Sequence, residues 1–224
     1  MRFDVISGVP ALLKSPFNES ILKRAQQKKL VEIIVHDLHD YAHDKHRKID
    51  DVPFGGEAGM VLKPEPIFEC IEILKRERNY DEIIYLSADG ERFQQSLATE
   101  FSLKQHLIFL CGHYKGVDER VREQLITKEI SIGDYVLTGG ELAAAVVIDA
   151  TVRLIPGVVS DAESLLNDSF QNTLLDAPSY TRPAVFRSMN VPAVLLSGDP
   201  KKIAMWRDER RLEKTKQRRN DLIN

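Results

Sequence analysis

Ser131–Leu142, SIGDYVLTGGEL, is the stretch on which the fold turns. Its glycines, Gly133, Gly139 and Gly140, let backbone approach a neighbour closely because no Cβ stands in the way. Thr138 and Glu141 have the S/T-x-x-E spacing of a capping box, so the stretch predicts a loop running into a helix opened by Gly139-Gly140. The apolar run behind it extends that predicted helix to Ile155. Two more glycine-containing segments come earlier, Leu86–Gly90 (LSADG) and Cys111–Gly116 (CGHYKG). Ligands of open α/β sheets bind just beyond the C-terminal ends of the strands. Each segment alone reads as an ordinary turn. Three of them at strand ends predict a ligand wall.

Working outward, strands are predicted at Arg2–Ser7, Val31–Leu38, Asp81–Ser87 and His106–Gly112. Helices are predicted at Ser20–Lys29, Pro64–Arg78, Arg92–Lys104 and Val117–Ile126. Pro64 and Pro66 suit a first helical turn, where a missing N–H costs nothing. Short apolar runs alternating with helices make the fold class α/β, with a parallel sheet covered by helices. Pro156-Gly157 closes the last helix, and the chain stays polar to about Thr181. A structureless segment of that length is a linker or a functional loop. Arg182–Asn224 is predicted helical and too short for much of a core of its own.

Composition narrows the class. No run of about 18 apolar residues exists, so no spanning helix is predicted. MRFDVISGVP has no cationic start before an apolar block, which predicts no signal peptide. Cys70 and Cys111 form no C-x-x-C pair, and a cytoplasmic location is expected. The net charge of −3 hides an asymmetry: Asp199–Arg219 holds nine Lys/Arg against four Asp/Glu, or +5, leaving −8 elsewhere. By itself that basic end reads as a solvated helix face; a phosphate-binding surface is the alternative. No G-x-G-x-x-G, phosphate loop, H-E-x-x-H or G-x-S-x-G occurs, which disfavours ordinary dinucleotide, triphosphatase, zinc-protease and α/β-hydrolase chemistry.

SIGDYVLTGGEL, with CGHYKGVDER, DKHRKIDDVPFGGEAGM, LLDAPSYTRP (174–183) and VPAVLLSGDP (191–200), resembles the bacterial tRNA (guanine-N1)-methyltransferases, which modify the guanosine 3′ to the anticodon. The resemblance runs over essentially the whole chain. It implies a knotted (SPOUT-like) methyltransferase: an α/β parallel-sheet domain over residues 1–160 with a deep trefoil knot. A flexible linker over the active site (161–175) and a small helical tRNA-binding domain (176–224) would follow. It further implies S-adenosylmethionine as methyl donor, a tRNA substrate and a homodimer whose active sites are shared between chains, and it leaves room for a magnesium ion. Carried over by position, Leu86, Gly112, Tyr114, Ile132, Gly133, Asp134, Tyr135, Val136, Leu137, Gly139 and Gly140 would surround the cofactor.

The resemblance makes Asp168 the general base and Arg153 the cation near the guanine oxygen. Read without it, Asp168-x-x-Gln171 is a helix cap and Arg153 complements a helix C-terminus. His36, His39, His43 and His46, interleaved with Asp37, Asp40 and Asp44, invite a metal-site reading, but nothing fixes them on one face. The resemblance instead assigns His46 and Arg47 to RNA contact, with Tyr180, Arg182 and Phe186 receiving the anticodon stem. Trp206 and the basic residues of 201–219 would hold phosphates. No structural metal is predicted. The chain departs from the family pattern at His113 (usually arginine), Lys115 (usually glutamate), Glu57 (usually glycine), Ala88-Asp89 (usually Pro-Gln), Ala143 and Ala145. A related knotted enzyme acting on another RNA, or a non-catalytic RNA-binding protein, are the competing readings.

Overall fold

A computed structural model describes residues 1–159, 168–170 and 173–223. Contacts divide the chain into two units, Met1–Ser160 and Asp161–Asn224. Residues 160–167, 171 and 172, which cover much of the expected linker and the Gln171 of the expected Asp168 cap, lie outside the described residues.

In chain order the first unit runs β1 (Arg2–Ser7), α1 (Lys14–Phe17), α2 (Ser20–Gln27) and β2 (Glu32–Asp37). The two-residue strands β3 (Asp50–Asp51) and β4 (Val61–Leu62) and helix α3 (Pro64–Glu77) come next. Then follow β5 (Glu82–Arg92), α4 (Gln95–Ser102), β6 (His106–Cys111), α5 (Glu119–Leu125), β7 (Lys128–Ser131) and α6 (Glu141–Val152). Five strands form one sheet in the order β2-β1-β6-β5-β7, every pair parallel. The central strands β1 and β6 are buried on both faces, which is why they read as nearly unbroken apolar runs. Phe3, Val5, Phe109 and Ile84 pack against α1, α2, α4 and α6 on one side; Ile6, Ile83, Ile108 and Leu110 pack against α3 and α5 on the other. Helix α3 buries Ile67, Cys70, Ile71 and Leu74, the i, i+3, i+4, i+7 stripe of an amphipathic helix.

One strand differs from expectation. β5 pairs with β7 as far as Leu86↔Ile130, leaves the ladder over Ser87–Gly90, and rejoins it at Glu91↔Ile130 and Arg92↔Ser131. The expected helix from Arg92 accordingly starts at Gln95. A Cβ on Gly90 would collide with the backbone of Glu129 and Ile130, so the detour is possible because this residue is glycine. β7 itself is four residues with two charged side chains, and no local pattern marks it.

The second unit carries the antiparallel hairpin β8 (Val185–Phe186) and β9 (Met189–Asn190), then α7 (Ala193–Leu196) and α8 (Pro200–Arg218). The hairpin replaces part of the predicted helix. Its two-residue turn, Arg187-Ser188, holds both residues at positive φ (47° and 63°), a conformation usually signalled by Asn-Gly. Asp199 caps α8 by accepting from the amides of Lys201 and Lys202 (3.1 and 3.2 Å), with Pro200 in the first turn. Among the described residues of this unit only Ala177, Arg211 and Thr215 are buried.

A buried ionic knot ties β1 into the sheet. The fully buried Asp4 carboxylate accepts from Arg2 (Nε 2.7 Å, Nη2 2.8 Å) and the Tyr80 hydroxyl (2.8 Å), and faces His36 Nε2 on β2 at 2.8 Å. Burial acts to raise this carboxyl, but the hydrogen bonds from His36, Arg2 and Tyr80 outweigh it and hold it at about 2. The unfolded value is about 3.9, so the stabilisation is complete above pH ~4 and lost as pH falls through about 2. Asp4→Asn is expected to lower the unfolding free energy at pH 7 by about 3 kcal/mol. In denaturant titrations, the gap between the two proteins should close between pH ~4 and ~2.

Candidate functional site

The loops after β5, β6 and β7 border one cavity at the C-terminal edge of the sheet, and the start of α6 closes it. Leu86, Gly112, Tyr114, Ile132, Gly133, Tyr135, Val136, Leu137, Gly139 and Gly140, all singled out from the sequence, line it. Asp134 does not; its exposed carboxylate lies 3.6 Å from Arg92.

Close backbone contact holds the loops together. Gly140 N donates to Gly112 O (2.8 Å), and a Cβ on Gly140 would stand 2.8 Å from Cys111 Cα and 2.9 Å from Gly112 N. His113 and Gly139 form an isolated antiparallel bridge. The 112–116 loop is stitched to β4 in turn: Lys115 N donates to Met60 O (3.0 Å) and Leu62 N to Gly116 O (3.0 Å). Tyr114 sits at φ 57°, an uncommon conformation for a bulky residue, and presents an exposed ring to the cavity. Val136 is 88% exposed beside the half-exposed Tyr135 and Leu137, an exposed apolar wall.

The predicted capping box does not form. Helix α6 starts at Glu141 behind an N-cap Gly140 that makes no side-chain cap bond. Glu141 is instead drawn inward: its buried carboxylate accepts from Ser7 Oγ at the end of β1 (2.6 Å) and meets His113 Nε2 at 2.8 and 2.9 Å. A buried carboxylate with donors on two other elements outcompetes a local amide contact. Sequence spacing could not reveal this, because Ser7 lies 134 positions away. Cys111 beside it is inert, since burial pushes its thiol well up. Lys115 pairs with Glu57 at 2.8 Å across the mouth, which lowers the Glu57 carboxyl.

The remaining predicted residues are dispersed. Arg153 is the C-cap of α6 in the first unit. Asp168 belongs to the second unit, where it lines a separate cavity with Asp176, Tyr180, Arg182 and Arg211. Tyr180 faces Trp206 with ring centroids 6.4 Å apart. His46 is exposed, its amide on Asp44 (2.9 Å), while Arg47 bonds His39 O (2.9 Å) and the Asp40 carboxylate. The other histidines turn to separate partners, His36 to Asp4, His39 to Asp37 and His43 to Glu69. Among the described residues no three His, Cys, Asp or Glu side chains gather as a metal site.

A parallel α/β sheet with a glycine-walled cavity at its strand ends defines a small-ligand-binding α/β protein, of the kind that houses a cofactor in the loops. The family model described as tRNA (Guanine-1)-methyltransferase TrmD matches residues 1–224. Curated relatives carrying the name tRNA (guanine-N(1)-)-methyltransferase include that of Bacteroides thetaiotaomicron, 59% identical over 100% of this chain and 99% of its own. The Cytophaga hutchinsonii relative is 59% identical over 99% of this chain and 94% of its own, and that of Chlorobium chlorochromatii 56% over 100% and 96%. The chain belongs to the tRNA (guanine-1)-methyltransferase family.

Because Gly140 lies against backbone rather than a movable side chain, Gly140→Ala is expected to force the 112–116 and 133–140 loops apart. Thermal unfolding should show a cost of about 2 kcal/mol.

Proposed function

We infer that this protein transfers a methyl group from S-adenosylmethionine to N1 of the guanosine 3′ to the anticodon of tRNA. The observation that carries the reading is the family match over the whole chain, which includes all three cavity loops. The exposed apolar run Tyr135–Leu137 beside Leu86, Ile132 and Ala143 suits a flat heterocycle, and the glycines leave backbone groups as its polar partners. Support for a trefoil-knotted path comes from the β5 detour at Ser87–Gly90 and from the contact of Gly140 with Gly112. Asp134, outside the cavity wall, is left with a rim role.

The bound sulfonium supplies a methyl group that is already electrophilic. Guanine N1 holds a proton and is a poor nucleophile until it leaves. In this reading the Asp168 carboxylate accepts that proton, and the Arg153 guanidinium stabilises the charge that develops on O6. His46, Arg47, Tyr180 and Arg182 make the RNA contacts.

A distance supports a homodimer. Arg153 ends the 12-residue helix α6 whose first turn closes the cofactor cavity, so helix length puts it about 18 Å from that wall. It cannot serve the cavity at the other end of its own helix. An antiparallel pairing of two α6 helices about a two-fold axis brings the Arg153 of one chain to the Glu141 end of the other. The surface for it is present: Leu142 and Val146 are 54% and 49% exposed on α6, and Val9 and Leu12 are exposed in the stretch before α1. No helix among the described residues is long and apolar enough to cross a membrane. The unpaired Cys70 and Cys111 and a tRNA substrate fit the cytoplasm. A magnesium ion is the further cofactor the family resemblance leaves room for.

Incubation with labelled S-adenosylmethionine and tRNA transcripts should put label on guanosine after the anticodon and on no transcript lacking it. Label at another nucleotide would overturn the substrate assignment. Asp168→Asn is expected to cut turnover about 100-fold or more while calorimetry finds cofactor affinity unchanged. Near-normal turnover in that variant would remove Asp168 as the base.

A further inference from the structure

We propose that Arg211 is a buried seat for one backbone phosphate of the RNA, inside the cavity of the second unit. The proposal rests on tRNA being the substrate. That cavity, about 1000 Å³, is walled by Arg182, Arg207 and Arg211 together with Asp168, Asp176 and Tyr180. Arg211 stands apart from the other basic residues of α8. It is only 8% exposed, yet its Nε and Nη2 are buried without a hydrogen-bond partner. Arg219 pairs with Asp221 at 2.7 Å, and Arg210, though its own Nε is also buried and unpartnered, pairs with Glu213; Arg211 alone among the basic residues of α8 is buried with two such nitrogens.

A guanidinium cannot shed its proton to escape burial, so a desolvated, unmatched one is among the costliest groups a fold can carry. Buried donors left open in this way point to a partner that arrives from outside. The backbone around it is pinned. Thr215 Oγ1 donates to Arg211 O (2.7 Å) and accepts from Leu175 N (2.9 Å), while Lys214 Nζ holds Asp176 O (2.8 Å). The fork is thus offered from a fixed helix face rather than from a swinging surface chain.

Its geometry suits the bidentate acceptance of a phosphate or a carboxylate. Two features favour the phosphate. The surrounding stretch Asp199–Arg219 carries +5, and the half-exposed Tyr180 ring, set against Trp206, lies at the cavity wall where an unstacked base could rest. Asp168 and Asp176 on the same walls disfavour loosely held anions, so the seat takes an anion only where the Arg211 fork engages it.

The test compares the full chain with Arg211→Met, which keeps length and apolar stem, and with Arg211→Lys, which keeps charge without the fork. Affinity for a tRNA transcript is measured by fluorescence anisotropy from about 50 to 200 mM salt. Arg211→Met should weaken binding about tenfold and flatten the plot of log affinity against log salt by about 1. Arg211→Lys should restore the slope but not the whole affinity. Free Arg211→Met protein should melt no lower than the parent, because it loses an unmatched charge. An unchanged slope overturns the proposal, even if inorganic phosphate at matched ionic strength still raises the melting point of the parent; the seat would then belong to a free anion. A lower melting point with unchanged slope would make Arg211 a structural residue. Failure of the parent chain to bind tRNA at all would instead remove the reading on which the proposal stands.

Discussion

The buried carboxylate of Glu141 is the joint on which the cofactor edge of the sheet depends. It lies at the first turn of α6, receives Ser7 from the end of β1 and meets His113 from the loop after β6. Three elements far apart in sequence are fixed to one another by a group that cannot be left unmatched in an apolar interior. Beyond His113, the two glycine loops meet through backbone. Gly140 lies so close to the backbone of Cys111 and Gly112 that a Cβ there would break the contact. A charged anchor on one side and close backbone contact on the other fix the loops that border the cavity.

That division of labour explains what could be read beforehand. Local periodicity marks β1, β2, β6 and α3 because each buries its own apolar pattern, and their observed bounds fall within a residue or two of the predicted ones. The cavity loops were visible as glycine clusters after strands. β7 was implied only by the loop that follows it: KEIS has no apolar run, and its strand character comes from pairing with β5 on both sides of a four-residue detour. The β8–β9 hairpin was equally hidden, since Arg187-Ser188 adopts a turn that neither residue type advertises. Thr138 and Glu141 misled for the opposite reason. Their spacing fits a capping box, but a long-range partner at Ser7 won the carboxylate. Arg211 looked like any other basic residue of α8; only the fold reveals that it is turned inward.

The two units differ in build. The first unit forms a cavity at its strand ends and carries Arg153 at the far end of α6. The proposed base, Asp168, sits in a polar segment of the second unit, whose described interior is little more than Ala177, Arg211 and Thr215. Among the described residues of this unit, polar contacts such as Lys214 to the Asp176 carbonyl supplement that small interior.

An exposed ion pair joins two of the loops near the cavity: Lys115 and Glu57 meet at 2.8 Å. The Lys115 stem also fills the space over Gly59, where a Cβ would lie 3.1 Å from it. A lysine introduced alone would place an unpaired cation at the cavity mouth, and a glutamate alone an unpaired anion. Together they are neutral and brace the 55–60 loop against the 112–116 loop, beside the backbone bonds from Lys115 to Met60 and from Leu62 to Gly116. Both side chains are substantially exposed, so the pair adds little stability of its own. Its effect is to leave the paired charges neutral, while His113 keeps a nitrogen on the buried Glu141 carboxylate.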